Sequence, residues 1–214
     1  MSGPAQRAWS RLRLELILGF VHWRTLLLRR RGLDALRTRR GLRLHLGSGD
    51  VIKPGWINVD LHPAADFRLD VRRPWPFGDG SAVEVYAEHL FEHLAWPGEA
   101  DHFLAEARRV LAPGGRLRLS VPDLGRHVRA YVEADESFRR QFAPFLPPEA
   151  TTWGDALNHH FRQFGEHQYS YDAETLATRL RGAGFDDMKA VASSSDYEQP
   201  SRDFESLVMT ARRP

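Results

Sequence analysis

Residues 42 to 60, Leu-Arg-Leu-His-Leu-Gly-Ser-Gly-Asp-Val-Ile-Lys-Pro-Gly-Trp-Ile-Asn-Val-Asp, constrain the fold more than any other stretch of the chain. Leu42, Leu44 and Leu46 alternate with Arg43 and His45, the period of a strand, and Gly47-Ser48-Gly49 then breaks the run as a tight turn. A second short strand, Trp56 to Val59, ends on Asp60. Glycines lack a Cβ and so let backbone approach a ligand closely, and an acid at the tip of the next strand can accept hydrogen bonds from ribose hydroxyls. That is the layout of a nucleoside-binding site.

The chain has 214 residues, enough for one α/β domain and a short appendage. It has no cysteine, which excludes disulfides, thiolate zinc sites and cysteine nucleophiles and is compatible with a cytoplasmic setting. The net charge of +2 is unevenly spread. Residues 1–41 hold ten arginines against Glu15 and Asp34, a balance of +8, so residues 42–214 carry −6. The domain is therefore mildly acidic and no nucleic-acid-binding face is expected on it.

Trp9 to Leu28 reads as one helix in which Trp9, Leu12, Leu16 and Leu27 can share a face. Its weakly polar run, Leu16 to Trp23, is far shorter than the roughly 20 residues that cross a bilayer. Arg11, Arg13 and Glu15 within it, and Arg29 to Arg31 after it, argue against a signal peptide. Two readings stand: a helix docked on the domain, or an amphipathic helix giving peripheral contact with an anionic membrane through residues 1–41. Arg37 to Gly41 is expected to be a linker, with the domain proper at 42–214.

After Asp60, a third strand is expected at Phe67 to Val71 and a fourth at Ala82 to Ala87, with turn-rich sequence between them. An amphipathic helix follows from Pro97 to Leu111, with Phe103, Leu104, Ala107, Val110 and Leu111 at core spacing. Pro113-Gly114-Gly115 stops it, and Arg116 to Val121 alternates as a fifth strand. Residues 124–171, rich in Phe, His and Pro, read as an irregular insertion over the site. Asp172 is an N-cap for a helix to about Arg181, and strands at Met188 to Ala192 and Ser206 to Ala211 end the chain.

With these elements in order, the chain resembles the class I S-adenosylmethionine-dependent methyltransferases, in particular the type 11-like group related to the ubiquinone/menaquinone biosynthesis enzymes. The resemblance covers about residues 42–212. Leu44-His45-Leu46-Gly47-Ser48-Gly49 matches the first glycine motif, Asp60 the ribose acid and Asp70-Val71 the adenine-contacting pair. Pro76 to Val85 matches a "PFxDxSFDxV" run, with Ala82 and Glu84 departing from it. Phe91-Glu92-His93-Leu94 matches "LEH", Val110 to Arg116 "VLKPGG", and Ala183-Gly184-Phe185 "AGF". Each motif is weak alone; their order and spacing make the signal.

The resemblance implies a Rossmann-like, doubly wound, seven-stranded and mostly parallel sheet with a terminal antiparallel hairpin, and S-adenosyl-L-methionine at the carboxyl ends of the strands. It implies a transferase whose cofactor is held by Gly47, Ser48, Gly49, Asp60, Leu61, Asp70 and Val71, with Glu88 and His89 reaching its methionine part. One departure is informative. Only ten residues separate Gly49 from Asp60, where a full crossover helix would put the acid about 20 residues on. Lys53-Pro54-Gly55 leaves little room for even a short helix. A dinucleotide needs that helix N-terminus for its pyrophosphate, whereas S-adenosylmethionine carries no phosphate.

Methyl transfer from a sulfonium is chiefly an alignment problem, with a base needed if the acceptor is a hydroxyl. The base candidates are His167 and Tyr169, fixed by the returning helix, and Asp123 at the fifth strand tip, with His159 and His160 also in the insertion. A small-molecule, sugar or lipid-linked acceptor is expected. Glu92 and His93 are read as bracing the next helix, and no metal is expected. His89-Leu90-Phe91-Glu92-His93 also spells H-x-x-E-H, which on a helix would be a zinc hydrolase motif. No companion glutamate ligand is identifiable, so that reading ranks below a non-catalytic methyltransferase-fold binding protein as the alternative.

Overall fold

The computed structural model describes residues 36–214. The helix expected at Trp9 to Leu28, and with it most of the membrane-contacting segment, lies outside the described residues. Residues 36–38 are helical, Leu36 packs on the core, and the Arg37 carbonyl lies where a Cβ on Gly78 would stand, 2.1 Å away. Arg37 thus touches the domain, while residues 37–41 are exposed.

Seven strands form one sheet in the order β3-β2-β1-β4-β5-β7-β6. They are β1 (Leu42–Leu46), β2 (Ile57–Asp60), β3 (Phe67–Arg68), β4 (Ala82–Glu88), β5 (Leu111–Pro122), β6 (Asp186–Val191) and β7 (Ser206–Arg212). The strands from β3 to β5 pair in parallel, and β7 runs antiparallel to both β5 and β6, the terminal hairpin expected from sequence.

Alternation decides what each face of the sheet carries. Leu44, Val85, Leu117 and Ala211 stand in one row across β1, β4, β5 and β7, all buried. They share one core cluster with Phe103, Leu104, Ala107 and Val110 of α1 (Glu99–Val110) and with Leu176 and Leu180 of α5 (Ala173–Gly182). Asp172 caps α5 as expected, accepting from the Thr175 amide at 2.8 Å.

The neighbouring row, Arg43, Glu84 and Arg116, and the next, Asn58, His45, Tyr86 and Arg118, are polar and aromatic. In a doubly wound fold the first crossover helix would cover part of such a face. Here β1 and β2 are joined by turns alone, as the ten-residue spacing implied. The β6–β7 loop lies there instead. Glu198 forms a two-pronged ion pair with Arg118, with both contacts at 2.7 Å, and the Tyr197 hydroxyl donates to Glu84 at 2.8 Å. Trp56 from the β1–β2 turn packs edge-on against Tyr86 and Tyr197 while Arg43 stacks on its ring at 4.1 Å.

Three expectations are corrected. The third strand stops at Arg68, because beyond it the chain leaves the ladder after a last bond from the Leu69 amide to the Asp60 carbonyl. The fifth strand begins at Leu111, ahead of the Pro-Gly-Gly turn, which is bulged out between the pairs Ala82–Leu111 and Glu84–Arg116. Residues 124–171 are mostly helical: α2 (Leu124–Glu133), α3 (Glu136–Phe142) and α4 (Trp153–Arg162). Each begins on a side-chain cap. Asp123 and Asp135 cap the first two, and Thr152 and Asp155 form a reciprocal box at the third.

Candidate functional site

The carboxyl ends of β1, β2 and β4 surround a cavity of about 200 Å³ lined by Gly47, Asp60, Leu61, Leu69, Asp70, Val71, Arg72, Leu90, His93 and Leu94. Gly47 opens it. Its φ is +70°, its amide donates to the Val59 carbonyl at 2.8 Å, and a Cβ there would stand 2.9 Å from Leu90 Cβ. Only a residue without a side chain lets β1 turn while Leu90 closes in. The Gly49 amide donates to Asp60 Oδ2 at 2.8 Å and the His62 amide to Oδ1 at 2.7 Å. The glycine turn and the acid at the tip of β2 are thereby locked to each other, with the carboxylate on the cavity wall.

Asp70 also lines the cavity, but its carboxylate is engaged. Arg72 reaches Oδ1 through Nε and Oδ2 through Nη2, both at 2.9 Å, and its amide adds a third bond at 3.0 Å. Burial pushes the Asp70 carboxyl up, yet the Arg72 hydrogen bonds and charge outweigh this and hold it below the ordinary carboxylate range. Val71 forms wall, its carbonyl held by the Trp75 indole at 3.0 Å. Ser48 is buried beside the turn and does not line the cavity.

Glu88 and His89, expected to face the same ligand, are directed elsewhere. Glu88 accepts from the Gln199 amide at 2.8 Å and lies 3.0 Å from the Tyr86 hydroxyl, on the side covered by the β6–β7 loop. His89 sits at φ +46° with Nε2 2.9 Å from Ser206 Oγ. Neither lines the cavity.

A second cavity of about 60 Å³ lies at the end of β5, lined by Pro122, Phe142, Phe145, His159, His160, Gln163, His167, Arg202 and Glu205. The helices of 124–171 thus supply much of its wall. The segment returning to the sheet is pinned by two bonds to the Glu92 carbonyl, from the Gln168 amide at 2.8 Å and the Tyr169 amide at 3.1 Å. Those bonds bring the His167 ring edge-on to His93, with centroids 4.9 Å apart, so a residue lining the first cavity packs against one lining the second. His167 Nδ1 is 2.6 Å from the His160 carbonyl, and burial keeps the ring's pKa below the usual histidine value. Burial drives His160 further, to about 2.

Of the candidate bases, His167 packs against His93, and His159 and His160 line the second cavity with it. Tyr169 points the other way, packing against Trp96 and Tyr171 with its hydroxyl 3.4 Å from Arg179. Asp123 is occupied as the cap of α2, accepting from Gly125 and Arg126. Glu92 and His93 do not brace α1, whose first turn is closed by Glu99 on the Ala95 amide and Asp101 on the Gly98 amide. Leu69, Arg72, Leu90 and Leu94 also line the first cavity. Their only sequence signal was adjacency to the acid pair and to the Glu-His pair.

Residues 58–119 match the family model described as a methyltransferase domain. An uncharacterised 37.1 kDa protein of transposon TN4556 from Streptomyces fradiae is 43% identical over 76 residues, which are 36% of this chain and 21% of that protein. The chain thus spans about a fifth of the length of that curated relative. Among solved structures, the complex of the Haloferax volcanii Trm112 methyltransferase activator contains a chain similar to this one at 17% identity, with a TM-score of 0.50 over 97% of this chain and 96% of that one. A Burkholderia thailandensis 1,6-didemethyltoxoflavin-N1-methyltransferase gives 18% identity and a TM-score of 0.48 over 100% and 91%. The strand order and the reversed β7 give this chain a Rossmann-like seven-stranded fold, and the matched segment is similar to a methyltransferase domain. The matched family model describes a methyltransferase domain in general and does not resolve the narrower ubiquinone/menaquinone kinship.

Proposed function

We propose that the chain is a methyltransferase that uses S-adenosyl-L-methionine, binding the nucleoside in the 200 Å³ cavity and a small acceptor from the side of His167. The observation that carries this is Asp60, held by the Gly49 and His62 amides with its carboxylate on the wall of a cavity otherwise mainly apolar. That combination suits a ribose and a flat base. Leu61, Leu69, Val71, Leu90 and Leu94 would sandwich the base, Asp60 would receive the ribose hydroxyls, and the open Gly47 backbone would flank the remainder. When bound, the cofactor supplies a methyl group on a positively charged sulfur. The chain's part is alignment and exclusion of water. The acceptor is read as a small-molecule, sugar or lipid-linked group whose reactive atom reaches the His93–His167 junction. His167 donates through Nδ1 to the His160 carbonyl, so its Nε2 carries a lone pair there.

The test is transfer of label from methyl-labelled cofactor into fractionated extract by the full chain, beside an Asp60→Ala control. Label incorporated by the wild type and lost in the control supports the reading. A second reading, a non-catalytic binding protein on the same fold, is favoured by one observation: Arg72 already occupies the Asp70 carboxylate. Under it, the cofactor binds without turnover, or binds equally well when Asp60 is replaced.

A further inference from the structure

Glu92 is 2% exposed, and both its carboxylate oxygens lack a hydrogen-bond partner. Leaving a buried carboxylate so placed costs several kcal/mol unless something of opposite charge meets it. The groups around it are imidazoles. His89 Nδ1 stands 3.4 Å and His93 Nε2 3.9 Å from Glu92 Oε1. Ligand atoms of Glu92, His93 and His167 all lie within 4.8 Å of one another.

The surrounding hydrogen bonds fix where the ring protons are. The Ser206 hydroxyl donates to the Arg202 carbonyl at 2.8 Å, so its oxygen accepts from His89 Nε2–H at 2.9 Å. His89 Nδ1 faces Glu92 Oε1 across 3.4 Å. His167 likewise gives its Nδ1 proton to the His160 carbonyl and keeps a lone pair on Nε2. A buried carboxylate and two imidazoles therefore bring their ligand atoms together, a donor set that suits a cation. A backbone acceptor behind the ring is also what orients a metal-bound histidine.

We infer that Glu92, His93 and His167 form a binding site for a divalent first-row transition ion, with His89 as the neighbour that orients the carboxylate. Two imidazoles and one carboxylate suit ions such as Zn2+, and three protein ligands leave a position open. His93 lines the first cavity and His167 the second, and the open position would be left to water or to an ionisable oxygen of an acceptor. The H-x-x-E-H motif has no companion glutamate ligand in the sequence. The third ligand here is instead His167, distant in sequence and brought in by the Gln168 and Tyr169 bonds to Glu92. The site goes beyond the methyl-transfer reading, and it assigns the His167 Nε2 lone pair to an ion rather than to a proton.

The test uses the full chain stripped with chelator and titrated with Zn2+ by calorimetry, without S-adenosylmethionine, alongside thermal unfolding and the visible spectrum with Co2+. One equivalent bound, a raised unfolding temperature and Co2+ absorption bands are expected. His167→Gln and Glu92→Gln should each lower affinity at least about tenfold, the scale on which even outer-shell losses act. If Glu92→Gln does not fold, His167→Gln and His93→Gln, at more exposed positions, decide alone. Absence of stoichiometric binding, or binding unmoved by the His167 and His93 changes, overturns the inference. Binding of S-adenosylmethionine is measured separately, so either reading can fail without the other.

Discussion

Gly47 and Gly49 flank one turn but answer to different constraints. A methyl on Gly47 would collide with Leu90, while one on Gly49 would meet open space, so at Gly49 only the positive φ resists. Gly47→Ala is expected to cost about 1–3 kcal/mol and to displace Leu90 from the cavity wall. Gly49→Ala should cost about 1 kcal/mol from backbone strain alone. Thermal unfolding and cofactor titration should rank the two in that order; equal effects would mean that Leu90 yields freely.

His45 makes a second residue-scale prediction. Burial lowers its pKa to about 4, with the Asn58 hydrogen bond and Asp60 acting upward and Lys53 downward, and Tyr86 is stacked on its ring. The unfolded chain takes up this proton near pH 6.5 and the native protein only near 4. Stability from this group is therefore complete above pH 6.5 and lost as the pH falls toward 4, by roughly 3 kcal/mol in all. Urea midpoints across that range should fall with pH in the wild type and fall less in His45→Gln. Parallel curves would remove His45 from the account.

At the scale of elements, the β6–β7 loop covers the polar face of the sheet where a first crossover helix would otherwise lie. Arg118 and Glu198 are 6% and 1% exposed, so removing one partner leaves a buried charge unmatched. Glu198→Ala should destabilise by about 3–5 kcal/mol, and an apolar replacement of both residues should recover much of that loss. A small effect from Glu198→Ala in urea denaturation would show that the loop does not hold this face.

What the sequence disclosed divides along the same line. The alternation of β1, the short step from Gly49 to Asp60, the Asp172 cap and the terminal hairpin were legible, because local pattern determines them. The helices of 124–171 were harder to read. Their caps, including Thr152 with Asp155, stand in the sequence, but aromatics and histidines interrupt the helical period. The polar row Arg43, Glu84 and Arg116 gave no hint of its partner loop, since those contacts join residues far apart in the chain. The same holds for His167 beside Glu92. Asp123 stands at a strand tip and Tyr169 leads into the returning helix, but capping takes up the first and packing the second.

For the whole molecule, the parallel sheet brings the tips of β1, β2 and β4 to one cavity and the end of β5 to a second, with His93 and His167 between them. Among the described residues no helix is long and apolar enough to cross a membrane. The account rests on the first cavity being a nucleoside site closed by Asp60. The most direct test is calorimetric titration of the full chain with S-adenosylhomocysteine, beside Asp60→Ala and Asp60→Asn. The account predicts saturable one-site binding, weakened tenfold or more by either substitution while the fold is retained, a loss of at least about 1.4 kcal/mol. No heat from the wild type at high ligand concentration, or binding indifferent to Asp60, would contradict it.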